Sequence, residues 1–200
     1  MTKYSFYDIL YLIDLFREEF LSMVKAIIGG VVVLVIGGTT VAVSNSDIAD
    51  NFSKNTGMTK QQAQQYVGNI QKSDLESFSK VGQDLVSDGN LIQTELSSID
   101  CVNYTYKWET ASLSCQDARN EFQTISNDET ALGNCYQTLD TNLGNSAKLK
   151  MNECISDIDV VNADYDLPVA TTFLDSNTLT KQKNTNIYNK SVLEAALQSN

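Results

Sequence analysis

Apolar positions along this chain fall into one unbroken run followed by several helical stripes. Residues 24–43 read VKAIIGGVVVLVIGGTTVAV and carry no charge after Lys25. At about 1.5 Å of rise per residue, the run and its flanks match a hydrocarbon core of about 30 Å. The expectation is a single transmembrane helix over 24–43, retained as an anchor. A buried core helix is the alternative, but runs rich in Val and Gly make poor soluble helices. A cleaved signal peptide fits less well. The preceding residues include Asp8, Asp14, Glu18 and Glu19, whereas signal n-regions are short and basic.

Lys3, Arg17 and Lys25 precede or open the run, and the first basic residue after it is Lys54. The positive-inside rule then places residues 1–23 in the cytoplasm and the rest outside it. Ala26, Gly30, Gly37, Gly38 and Ala42 offer small-residue contacts for packing against another membrane helix. Ahead of the run, Phe6, Ile9, Leu10, Ile13, Phe16 and Phe20 recur at helical spacing, with Asp8, Asp14, Arg17 and Glu18 in other directions. This predicts an amphipathic helix that lies in the interface or docks on a partner. Its acidic face favours a protein partner over a bare lipid surface.

Residues 44–59 are polar and read as a connector or frayed helix. Helical periodicity begins at Lys60, with Val67, Ile70, Phe78, Val81 and Leu85 on one stripe. Ser87-Asp88-Gly89-Asn90 is a turn signal. The second stripe is Cys101, Tyr104, Trp108, Ala111, Cys115, Ala118, Phe122 and Ile125. Ser126-Asn127-Asp128 interrupts it, and Ser126 followed by Glu129 has the spacing of a capping box that opens a new helix. The third stripe is Leu132, Tyr136, Leu139, Leu143, Ala147, Met151, Cys154, Ile158 and Val161. It predicts one long helix through Gly133 and Gly144, ending before Pro168.

Two such helices turning near Asn127 form an antiparallel hairpin. Across it, pairing Cys101 with Cys154 and Cys115 with Cys135 leaves a mismatch of about 7.5 Å of rise, which two bridges can share. Sequential pairing would span about 21 Å and 28 Å along single helices. The nested pairing is therefore expected. The counter-reading closes a non-helical aromatic loop with Cys101–Cys115 and sets Cys135–Cys154 across a turn at Gly144-Asn145.

Residues 163–200 change character. Residues 178–190 are polar and read as a loop, and 191–198 read as a short helix capped by Ser191. This segment is expected to be a loose terminus or an arm docked on a neighbouring subunit.

The fold class expected is all-α: an N-terminal amphipathic helix over 1–23, the membrane anchor over 24–43 and a connector over 44–59. An antiparallel three-helix bundle stapled by two disulfides follows over 60–162, with the tail over 163–200.

Composition narrows the function. With no His in 200 residues, imidazole catalysis and the common zinc sets are excluded. A net charge of −11, from 14 Lys and Arg against 25 Asp and Glu, argues against nucleic acid as a partner. Asp157, Asp159, Asp164 and Asp166 are dense but lack the pattern of a calcium loop, so a solvated acidic face is expected. Asn51, Asn103 and Asn189 match the glycosylation acceptor pattern. No cofactor and no enzymatic activity are expected.

The leading expectation is a single-pass structural or accessory subunit of an envelope-embedded assembly, either a secretion machine or a lipid-containing virion. Its partners would be the bilayer and other membrane or envelope proteins, including further copies of itself. A ligand-binding or sensory domain outside the cytoplasm, and a membrane-active entry or lysis factor, are the alternatives.

Overall fold

The computed structural model describes residues 27–28, 31–36, 39–70, 78–97, 114–139 and 145–199. The described residues are predominantly helical, as the all-α reading expects, but they open with a sheet. Where a transmembrane helix was expected, the chain forms strands β1 (Ile27–Ile28), β2 (Val31–Ile36) and β3 (Thr39–Ser44), in that order. β2 and β3 pair antiparallel from Val31 opposite Ser44 to Ile36 opposite Thr39. Val and Ile are stiff at χ1, which disfavours a helix and suits a pleated strand. Two glycines stand between Ile36 and Thr39 in the sequence, the residue type that a two-residue hairpin connection favours. Among the described residues no helix is long and apolar enough to cross a membrane.

The polar stretch after the hairpin is a complete helix, α1 (Asn45–Thr56). The Ser44 hydroxyl accepts from the Asp47 N–H at 3.2 Å and donates to the Asp47 carboxylate at 2.6 Å, an N-cap that satisfies one of the free amides of the first turn. Gly57, at φ 72°, ends it in the left-handed conformation, with its N–H on the Ser53 carbonyl at 2.9 Å. α2 (Lys60–Ile70) opens with a reciprocal pair: the Thr59 N–H reaches Gln62 Oε1 at 3.0 Å and the Gln62 N–H reaches Thr59 Oγ1 at 3.3 Å. Phe52 of α1 and Tyr66 of α2 stack with ring centroids 4.8 Å apart.

α3 (Phe78–Ser97) continues through the expected turn at 87–90, and α4 (Cys115–Thr138) continues through the expected break at 126–128. The residues that resemble breaks are contact residues between these two antiparallel helices. A Cβ on Gly89 would lie 2.1 Å from Thr130 Oγ1 and 2.9 Å from the Ser126 carbonyl oxygen. The Ser126 hydroxyl donates to the Gly89 carbonyl at 2.8 Å. Ser126 is therefore inside a helix and not a cap. The helix start that was expected there lies instead at Ser114, whose hydroxyl accepts from the Asp117 N–H at 3.1 Å.

The long third helix is also corrected. α4 ends at Thr138, and α5 (Asn145–Asp164) is a separate helix packed against it. α6 (Pro168–Phe173) starts on Pro168, where a missing N–H costs nothing. The expected loop and tail form α7 (Ser176–Ser199), one continuous helix. Ser191 does not cap it: the residue is buried, and its hydroxyl donates to the Ile187 carbonyl at 2.7 Å. α7 packs on α5, α1 and β3, so the end of the described chain closes on its beginning. Leu179, Val192, Leu193, Ala195 and Ala196 of α7 share one hydrophobic core with Val43, Ile48 and Phe52.

Candidate functional site

The chemistry-bearing side chains that converge in this fold do so along the seam between α4 and α5. Cys135 of α4 and Cys154 of α5 are joined in a disulfide with Cα atoms 5.5 Å apart. Both are buried. This overturns the nested pairing of Cys154 with Cys101 and of Cys135 with Cys115. That pairing assumed an uninterrupted helix from 129 to 162, along which Cys135 and Cys154 could not meet. Instead α5, starting at Asn145, packs against α4, which ends at Thr138, and this brings the two cysteines together, as the counter-reading required of this pair. Cys115 is also disulfide-bonded, and Cys101 lies outside the described residues.

Two carboxylates flank the bridge. Glu153 precedes Cys154, and Asp157 lies one turn further along α5, so both stand on the side of the helix that meets Cys135. One oxygen of each and the Cys135 sulfur all lie within 4.8 Å of one another. Lys150 pairs with Glu153 at 2.9 Å. Burial, and then the Glu153 charge, hold the Asp157 carboxyl above the usual carboxylate range, with Lys150 pulling the other way and Asp128 adding to the rise. Beside Cys135, Tyr136 packs its ring on Phe78 with centroids 5.0 Å apart. Burial pushes the Tyr136 hydroxyl far up, with the Asn189 side chain of α7 opposing the rise.

Further along the seam the acids go deeper. Asp164 is 8 % exposed and Glu129 is 5 % exposed. The Tyr165 hydroxyl donates to Glu129 Oε1 at 2.5 Å. Asp164 faces Asp128, and among the described residues its Oδ2 has no hydrogen-bond partner. A proton on Asp164 converts the pair into a hydrogen bond. Burial, then the bond with Asp128 and its charge, then the Glu129 charge, push the Asp164 carboxyl up to about 7. Glu121 of α4 meanwhile accepts from the Val169 N–H of α6 at 2.9 Å. These roles were hidden in the sequence, where Glu129 looked like the second half of a capping box.

The structure separates the four aspartates weighed together as a cation cluster. Lys190 of α7 donates to both Asp159 oxygens at 2.7 Å, and Lys183 pairs with Asp166 at 2.6 Å. Asp157 flanks the disulfide and Asp164 is buried. Asp159 and Asp166 are exposed, as a solvated acidic face requires, and each also meets a lysine of α7. Of the glycosylation matches, Asn51 is buried, with its amide on the Ser191 carbonyl at 3.5 Å. Asn189 lies on α7, and Asn103 is outside the described residues.

Ala42, expected on a membrane-helix face, is an exposed residue of β3 between buried Val41 and Val43. Ala26, Gly30, Gly37 and Gly38 lie outside the described residues, as do Phe6, Ile9, Leu10, Ile13, Phe16 and Phe20. The arrangement on α4 and α5 thus holds a closed disulfide beside two carboxylates, with the Asp164 carboxyl raised to about 7 further along the seam. While the bridge is closed its sulfurs carry no thiolate, and the two carboxylates alone are weak ligands for a soft cation. No protein-family model matches this chain, and no match to it is found among curated proteins or solved structures.

Proposed function

We propose that this protein is a non-enzymatic structural or accessory subunit of a membrane-associated assembly, attached through its apolar N-terminal part and displaying a rigid helical body. The observation that carries this reading is the hairpin. β2 is apolar at all six positions, VVVLVI, the pattern of a strand covered on both faces. Its partner β3 alternates, with Val41 and Val43 buried under α1 and α7 and Ala42 exposed. One face of β3 is thus covered from within the chain, and the apolar sequence of β2 calls for cover on both of its own faces. The apolar stripe from Phe6 to Phe20 adds a second attachment element next to it in the sequence.

The helical body suits display. A disulfide and close glycine crossings fix its helices. The test uses the full chain, expressed without detergent and mixed with zwitterionic lipid vesicles, alongside affinity purification from its native source. The expected result is flotation with vesicles together with a stoichiometric partner chain. A monodisperse monomer that neither floats nor brings down a partner overturns the proposal.

A further inference from the structure

We propose that opening the Cys135–Cys154 disulfide creates a divalent metal site, with zinc as the preferred ion, held by the two thiolates and the carboxylates of Glu153 and Asp157. Three of the four donor atoms already lie within 4.8 Å of one another. The fourth, Cys154 Sγ, is bonded to Cys135 Sγ. A tetrahedral zinc with bonds of about 2.0–2.3 Å sets its ligand atoms about 3.3–3.8 Å apart. The carboxylates must close in and the sulfurs must move apart, both by side-chain rotation. The Cα separation of 5.5 Å permits this without moving either helix.

The donors also have the right chemistry. Two thiolates select a soft or borderline ion over calcium or magnesium, and two carboxylates complete the count of four in a chain that has no His. Glu153 and Asp157 repel each other across one helical turn, and a divalent cation relieves that repulsion. Lys150, already paired with Glu153, offsets part of the remaining negative charge. The opening step balances. A dithiol reductant gives two electrons and two protons to the S–S bond, leaving two protein thiols and an oxidised disulfide of the reductant. Metal binding then displaces the two thiol protons.

The arrangement makes metal uptake conditional on redox state. Oxidised protein offers only two carboxylates beside a closed bridge, and reduced protein offers four ligands on two helices that already pack together. It is independent of the proposal that the protein is a structural subunit, because it concerns the interior of the helical body alone.

The experiment uses the full chain, before and after reduction with a dithiol under anaerobic conditions, titrated with Co2+ and then Zn2+. Reduced protein should take up one equivalent of Co2+ with thiolate-to-cobalt charge-transfer and tetrahedral d–d absorption, displaced by Zn2+. Oxidised protein should give neither. The double variant E153Q/D157N, altered at an exposed and a half-buried position, should form the same disulfide and, once reduced, bind at least about tenfold more weakly. That variant retains all four cysteines, so it separates this site from binding by thiols elsewhere. Zn2+ should also restore helicity lost on reduction and protect Cys135 and Cys154 from alkylation. Equal Co2+ binding by oxidised and reduced protein overturns the proposal. So does an E153Q/D157N variant that binds as tightly as the parent, or alkylation of the two thiols that Zn2+ leaves unchanged.

Discussion

A side chain added at Gly82 would place its Cβ 2.4 Å from the carbonyl oxygen of Gly133, and one added at Gly133 would lie 2.7 Å from the carbonyl of Gly82. The two glycines mark the close crossing of α3 and α4. Seven residues further along α3 and seven residues back along α4, Gly89 meets Ser126 in the same way. The backbones approach too closely for any side chain, which is why glycines sit inside two long helices despite a cost of about 1 kcal/mol each relative to Ala.

Gly82→Ala and Gly133→Ala should therefore each destabilise the protein by about 1–3 kcal/mol, through overpacking against a backbone that cannot yield. Gly68 in α2 has open space around it, so Gly68→Ala should stabilise by about 0.5–1 kcal/mol. Denaturant titration of the three variants checks the contrast. A Gly82→Ala protein as stable as the parent would remove the crossing from the account.

The Cys135–Cys154 bridge closes a loop with a sequence separation of 19. Replacing both by Ser should cost about 3 kcal/mol in the chain-entropy picture. Non-reducing peptide mapping should recover the 135–154 linked pair, and with four cysteines in the chain it should recover Cys115 linked to Cys101. A peptide joining Cys101 to Cys154 would restore the nested pairing.

Stability should depend on pH through Asp164. Its carboxyl rises from 3.8 to about 7 on folding, so the folded state prefers the protonated form. The contribution is fully present below the unfolded value and is lost as pH rises through about 7. Asp157 shifts in the same direction. The melting temperature should fall between about pH 4 and pH 7, the window between the unfolded and folded values of Asp164. Asp164→Asn should flatten that slope, because the amide mimics the protonated acid and supplies a donor to Asp128. An unchanged slope in this variant would assign the dependence elsewhere.

Glu129 is held at 5 % exposure and accepts from the Tyr165 hydroxyl. Tyr165→Phe removes that charge-assisted donor and leaves the ring, so it should cost about 1.5–3 kcal/mol. Pairing it with Glu129→Gln should recover part of the loss, since a neutral amide is cheaper to bury than a carboxylate. Additive losses in this double-mutant cycle would mean that the two groups are not coupled.

Much of the helical core could be read directly from spacing. Ala118, Phe122 and Ile125, then Leu132, Tyr136 and Leu139, then Ala147, Met151, Cys154, Ile158 and Val161 all fall on the expected stripes and are all buried. Periodicity is reliable there because each helix buries one face, and burial repeats with the helical turn. The breaks were not readable. Gly89 and Ser126 carry turn and cap chemistry in isolation, and only a neighbouring helix turns them into contact residues. The same Leu-Gly-Asn tripeptide lies within α4 at 132–134, while its second copy at 143–145 ends on the first residue of α5.

The sequence by itself determined where apolar side chains recur, that the described residues between 60 and 162 are predominantly helical, and that no imidazole chemistry exists anywhere in the chain. Tertiary structure decided whether the valine-rich run is helix or strand, which cysteines meet, and that the Asn-rich end of the chain is a core helix. The reason is the range of the forces involved. Periodicity and capping act within one or two helical turns, whereas the β2–β3 register reaches from Val31 to Ser44, the Cys135–Cys154 bridge spans a separation of 19, and the burial of Asn51 against Ser191 or of Asp164 beside Asp128 joins residues still further apart.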